Sequence, residues 1–129
     1  MPLGERTILI VEDSENAAAT LEIALAGISG VSVLVAASAI QALRMLPAAG
    51  DVRAIITDLN MPRMDGFELI RRIRDDPRFS STPIVVVSAD TDPATPRRVA
   101  DLGACAFFAK PFSPAEVRRK VEEILDVPN

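Results

Sequence analysis

Four polar side chains each stand at the end of a short apolar run. Asp13 follows Ile8–Val11 and Glu12, Asp58 follows Ala54–Thr57, Ser88 follows Ile84–Val87, and Lys110 follows Phe107–Ala109. With Glu12 these residues make three carboxylates, one hydroxyl and one ammonium. Carboxylate oxygens suit a hard divalent cation. The hydroxyl and the ammonium suit the oxygens of a phosphate. Of the fourteen basic residues only Lys110 and Lys120 are lysines. A compact ammonium and a forked guanidinium are not interchangeable at a phosphate, so Lys110 reads as functional. Lys120, on the last predicted helix, reads as a solvated lysine.

Composition removes the competing chemistries. The chain has no histidine, which excludes Ser-His-Asp and Cys-His catalysis and His-ligated zinc, and means that it cannot itself carry a phosphohistidine. The single cysteine, Cys105, cannot form an internal disulfide and, set between two alanines, is expected to be a small buried core residue. A net charge of −4 argues against nucleic acid as the main partner. No apolar stretch approaches the roughly 18 residues that would cross a bilayer, so no membrane association is expected. The first residues lack a signal-peptide pattern, so a cytoplasmic protein is expected.

For those side chains to meet, the apolar runs must lie side by side. Short runs rich in Ile and Val read as strands buried on both faces of a parallel sheet, and in such sheets ligands bind just beyond the carboxyl ends of the strands. Strands are predicted at 7–11, 31–36, 54–58, 84–88 and 105–109. After the first comes a helical stripe of Ala17, Leu21, Ala24, Leu25 and Ile28, capped by Ser14 and closed by Gly27 and Gly30. Ser38 caps a second helix with the stripe Ile40, Leu43 and Leu46. Residues 59–66 form a loop, and Phe67, Ile70 and Ile73 continue as a helix that stops before Asp76-Pro77.

The fourth helix has two candidate starts, Asp92-Pro93 and Thr95-Pro96, and is expected to be short and to end near Gly103. Ser113-Pro114-Ala115-Glu116 reads as a capping box for the last helix, whose stripe is Val117, Val121, Ile124 and Leu125. Five strands alternating with five helices over residues 1–129 give a single α/β domain, a doubly wound parallel sheet covered by helices on both faces.

In this order, Glu12-Asp13, Asp58-Leu-Asn60-Met61-Pro62-Arg-Met-Asp65-Gly66, Ser88-Ala89, Leu102-Gly103-Ala104 and Lys110-Pro111-Phe112 resemble the receiver domain of bacterial two-component response regulators, over essentially the full length. The resemblance implies a flavodoxin-like fold with strand order 2-1-3-4-5, and Asp58 as phosphoacceptor. It also implies a Mg²⁺ (or Mn²⁺) site made by Glu12, Asp13, Asp58 and the backbone carbonyl of Asn60, with Glu12 acting directly or through water. Ser88 and Lys110 would bind the phosphoryl group. Phe107 would be a switch aromatic, or else plain core, and Asn60 and Asp90 would tune dephosphorylation. Pro111 matches a proline that the family usually has in cis.

The function implied is a phosphorylation-switched signalling module, not an enzyme with a separate substrate. A histidine kinase or phosphotransfer protein would be the donor. Output to a downstream protein, or to a homodimer, would pass through the face of the fourth helix, fifth strand and fifth helix, where Arg97, Arg98, Arg118, Arg119 and Lys120 are expected. Two alternatives stand beside it. One is a receiver segment of a larger hybrid kinase or regulator, since no effector domain follows Asn129. The other is a phosphatase of the haloacid-dehalogenase type, which usually needs a second Asp two residues after the nucleophile, where this chain has Asn60.

Overall fold

The structure is a computed structural model that describes residues 6–126. Five strands, β1 (Arg6–Val11), β2 (Val31–Ala36), β3 (Val52–Thr57), β4 (Ile84–Ser88) and β5 (Ala106–Ala109), form one parallel sheet in the order β2-β1-β3-β4-β5. The helices between them are α1 (Glu15–Ala26), α2 (Ala39–Met45, continued by a 3-10 turn), α3 (Gly66–Asp75), α4 (Thr95–Asp101) and α5 (Pro114–Asp126). Among the described residues no helix is long and apolar enough to cross a membrane.

The side-chain alternation of a strand explains why both sheet faces are apolar. Leu9, Val11, Ile55, Ile84 and Val86 join Ala39, Ala42, Leu46, Phe67, Leu69, Ile70, Ile73 and Val99 in one core cluster, beneath α2, α3 and α4. Their neighbours Ile8, Ile10, Ala54, Ile56, Val85 and Val87 join Leu21, Leu25, Val117, Val121 and Leu125 in the other, beneath α1 and α5. Chain direction reverses its course across the sheet between β1, which leads to β2, and β3, which leads to β4. That switch point opens the crevice at the carboxyl ends of β1 and β3.

Several expectations need correction. In α1 it is Ala18, not Ala17, that joins Leu21 and Leu25 in the core, and Ile23 points outward at 77% exposure. In α2 the buried stripe is Ala39, Ala42 and Leu46, while Ile40 and Leu43 are half-buried; the helix begins at Ala39, and its small residues face the sheet. At α4 the Thr95 start prevails, with Pro96 in the first turn, where its missing N–H costs least. Cys105 is exposed, because it precedes the edge strand β5, which has a neighbour on one side only. The Lys110–Pro111 peptide, in contrast, is cis, in agreement with what the resemblance implies.

Candidate functional site

The ends of β1, β3 and β5 bring four of the predicted side chains together. Glu12 is anchored by its amide, which donates to Ala36 O, and Asp58 by its amide, which donates to Val11 O at 3.1 Å. These bonds extend the parallel ladders by one residue, so both carboxylates leave the sheet at the same height. Glu12 is 2% exposed and Asp58 5%, whereas Asp13 is open to solvent. One carboxylate oxygen from each of the three lies within 4.8 Å of the others.

Lys110 closes the group. Its Nζ donates to Glu12 Oε1 at 2.8 Å and to Asp58 Oδ2 at 3.1 Å, and its backbone N–H donates to Ser88 O at 2.8 Å. The remaining carboxylate oxygens are also held. Glu12 Oε2 accepts from the Ser14 amide at 3.1 Å, and Asp58 Oδ1 accepts from the amides of Leu59 at 2.7 Å and Asn60 at 3.4 Å. Gly66 makes the β3–α3 loop possible. Its amide donates to Leu59 O at 2.8 Å, and a Cβ there would collide with the Asp58 backbone oxygen and stand 2.7 Å from Leu59 Cα.

Two buried acids share one ammonium, and the charges respond unequally. Burial pushes the Glu12 carboxyl above its ordinary value and the Asp58 charge adds to this, while the bonds from Lys110 and Ser14 oppose it. For Lys110 burial alone would lower the pKa, but its bonds to both carboxylates win and raise it. The ammonium is therefore firmly held, and the more enclosed acid is incompletely compensated. Three carboxylates against one ammonium leave negative charge at the rim. Hard oxygen donors in that arrangement fit a divalent ion such as Mg²⁺ or Mn²⁺, which takes a few carboxylates and several waters.

The other predicted residues surround this group, and of their groups only the Asn60 amide bonds to one of its side chains among the described residues. Ser88 is fully buried, and its Oγ accepts from the Asp90 amide at 3.0 Å. Asp90 is half-buried, and its Oδ1 accepts from the Asp92 amide at 2.8 Å. Asn60 is exposed. Phe107 is half-buried and packs on the core beneath α4. Beside Lys110 a shallow, mainly apolar cleft of about 260 Å³ runs between Asn16, Ala17 and Thr20 of α1 and Pro111 and Phe112. A larger hollow of about 500 Å³ lies at the opposite end of the sheet around Arg6 and Leu125, remote from the acids.

The bond from Lys110 to Glu12, shorter than the one to Asp58, was not anticipated from the sequence. The signal was the extra methylene of Glu12, which gives its carboxylate the reach. Sequence reasoning also placed Arg118 on the α4–β5–α5 face. Instead Arg118 folds toward α1, donating to Ala24 O and Gly27 O at 3.5 and 3.4 Å, because the carbonyls ending α1 offer it partners. Arg98, in contrast, lies over the Phe67 ring at 4.0 Å.

The model of the response regulator receiver domain matches residues 8–122. This chain belongs to that family. A similar curated protein is the chemotaxis protein CheY1 of Helicobacter pylori, 30% identical over 118 residues that cover 92% of this chain and 95% of the relative. The crystal structure of a response regulator receiver protein from Pseudomonas putida superposes with a TM-score of 0.86 at 30% identity, covering 95% of this chain and 99% of the other. The signal receiver domain of a signal transduction histidine kinase from Syntrophus aciditrophicus gives 0.81 at 30% identity, over 92% and 89%. Receiver membership explains why the acids gather at the switch point of the sheet, and it makes this a signalling protein family, not a conventional enzyme class. The strand order expected from the resemblance is the one observed.

Proposed function

We propose that this receiver domain, spanning residues 1–129, accepts a phosphoryl group on Asp58 from the phosphohistidine of a partner kinase or phosphotransfer protein. The observation that carries the proposal is Lys110 Nζ held between Glu12 and Asp58 beside Asp13, a ready-made cradle for transferred charge. An Asp58 carboxylate oxygen forms the new O–P bond. The P–N bond of the phosphoimidazole breaks, and its electron pair leaves with the imidazole, which takes a proton from solvent. Glu12, Asp13, Asp58 and the Asn60 carbonyl would hold a divalent cation, Mg²⁺ or Mn²⁺, which when bound neutralises the anionic oxygens during transfer.

Lys110 holds the Asp58 carboxylate before transfer and a phosphoryl oxygen afterwards. Ser88, buried on the adjacent strand end, binds a second oxygen. Phe107 is the aromatic that repacks against the α4 side when Ser88 turns. Asn60 and Asp90 flank the approach of the hydrolytic water and set the lifetime of the acyl phosphate. The added charge, roughly −1.5 to −2, biases the α4–β5–α5 surface toward a partner protein or a second copy. Moving such an equilibrium from mostly off to mostly on needs about 5.5 kcal/mol of differential interaction. The phosphatase alternative is disfavoured by Asn60, which is an exposed amide where an acid would be required.

Intact-mass measurement with a small phosphodonor and Mg²⁺ tests this reading. One phosphoryl adduct is expected on the wild-type chain and none on Asp58→Asn. Equal adduct on both, or none on the wild type, overturns it.

A further inference from the structure

Between β4 and α4 the chain is held by side-chain acceptors at every second residue. The Asp90 amide donates to Ser88 Oγ at 3.0 Å, the Asp92 amide to Asp90 Oδ1 at 2.8 Å, and the Ala94 amide to Asp92 Oδ1 at 2.9 Å. The Thr95 amide completes the run by donating to Asp92 O at 3.0 Å. Every link points the same way. An acceptor fixed on one residue places the amide two residues on, and that residue's side chain presents the next acceptor. None of the three side-chain links is a sheet or helix bond, and together they run from Ser88 to Ala94, the capping position of α4.

α4 brings no side-chain cap of its own to its start. It is seven residues long, its capping position is Ala94, which has no side-chain acceptor, and Pro96 brings no N–H to the first turn. Thr95 is fully buried, and its hydroxyl has no partner among the described residues. Asp92 already receives the Ala94 amide as a helix cap receives its second residue, with Pro93 at the first helical position. A helix from Pro93 would need the residue at 96 to donate to Asp92 O; Pro96 cannot, and the Thr95 amide takes that carbonyl in a tighter turn. The two starts lie two residues apart, with caps at Asp92 and Ala94, and Asp92 accepts from both the Ala94 and the Thr95 amides.

We propose that Asp92, acting through Asp90, is a positioning residue that transmits the placement of the Ser88 hydroxyl to the first turn of α4. This deepens the phosphoacceptor reading and rests on it for the direction of signalling. When Ser88 Oγ turns toward an anion on Asp58, the lone pair serving the Asp90 amide turns with it, and the links beyond re-seat in sequence. The role is that of an acceptor, not of a charge, so asparagine at 92 serves and alanine does not.

Backbone-amide NMR of the full chain tests the coupling in two arms. Without any ligand, Asp90→Ala removes the acceptor of the Asp92 amide directly. If the links are coupled, water exchange at the Ala94 amide, whose own acceptor is intact, also quickens by about fivefold, the loss expected for one such bond. With beryllofluoride and Mg²⁺ as the probe, the wild type shifts the resonances of Lys110, Thr95 and Val99. Asp92→Ala is expected to keep the Lys110 shift and lose those of Thr95 and Val99, and Asp92→Asn to restore them. Unchanged Ala94 exchange in Asp90→Ala, full α4 shifts in Asp92→Ala, or failure of Asp92→Asn to rescue each overturns the proposal. A wild type blind to beryllofluoride would instead sink the phosphoacceptor reading, and the ligand-free arm would then decide the coupling alone.

Discussion

The two halves of the rim are built on opposite terms. Around Glu12, Asp58 and Lys110 each enclosed carboxylate oxygen has a donor, and the loop that carries Asp58 is clamped by Gly66 against its own backbone. Further along the rim, α4 starts without a side-chain cap and buries the Thr95 hydroxyl without a partner among the described residues. The first half has one arrangement to lose. The second is held by contacts that can be exchanged for others at small cost. The proposed phosphoacceptor function would use both: a fixed cradle where charge arrives and a weakly capped helix where the arrival is read.

Gly66→Ala should strike the firm half hardest. The new methyl would meet Asp58 O and Leu59 with no flexible side chain to yield, so a loss of about 3 kcal/mol in urea unfolding is expected together with failure of Asp58 to take a phosphoryl group. Near-wild-type values for both would show that the clamp can relax, and the contrast between the halves would fail. Lys110→Ala strands two enclosed carboxylates. In EDTA a loss of about 2 kcal/mol is expected at neutral pH, less than for a fully buried pair because the lysine is partly exposed. Because the Lys110 pKa is raised, this contribution is fully present at neutral pH and fades only as pH climbs through its folded value.

Thr95→Val probes the soft half. Replacing an unpartnered buried hydroxyl with a methyl should raise stability by about 1 kcal/mol, and a loss would mean that the hydroxyl has a partner after all. Glu12→Gln sharpens the comparison within the firm half. The folded pKa of Glu12 lies above its ordinary value, so its ionised form is disfavoured by folding. Wild-type stability relative to the glutamine variant is then fullest below the ordinary carboxylate range and falls as pH rises through the folded value. Melts in EDTA should show the variant the more stable near pH 7, by the smallest margin of this series, and the gap should close near pH 4. A wild type that is the more stable at pH 7 would show that the Lys110 bond outweighs burial.

The sequence was a good guide to the firm half and a poor one to the soft half, for physical reasons. Runs such as Ile84–Val87 are apolar on both faces, which leaves a buried parallel strand as the consistent reading, and a strand end fixes the height of the residue that follows it. Asp58 and Lys110 were legible for that reason, as was the burial of Leu21, Leu25, Val117 and Val121. Tertiary partners were not. The Glu12–Lys110 bond spans 98 residues, and the turn of Arg118 toward α1 depends on carbonyls exposed at a helix end that no local pattern announces. The choice between two proline-marked starts of α4 turned on which N–H could be spared. Cys105 misled because its alanine neighbours suggested enclosure, whereas the deciding fact was an outermost strand.

The scarcity of lysine has a practical corollary. The chain contains neither tryptophan nor tyrosine, so it gives little intrinsic fluorescence by which to follow occupancy of the cradle. It does carry two side-chain amines of unlike reactivity. Lys120 lies loosely 3.8 Å from Glu123, a third exposed, and Lys110 is sequestered between two acids. Under an acylating reagent the former is an internal standard and the latter a gauge, and the ratio of the two labelled peptides reads the state of the site without adding any dye.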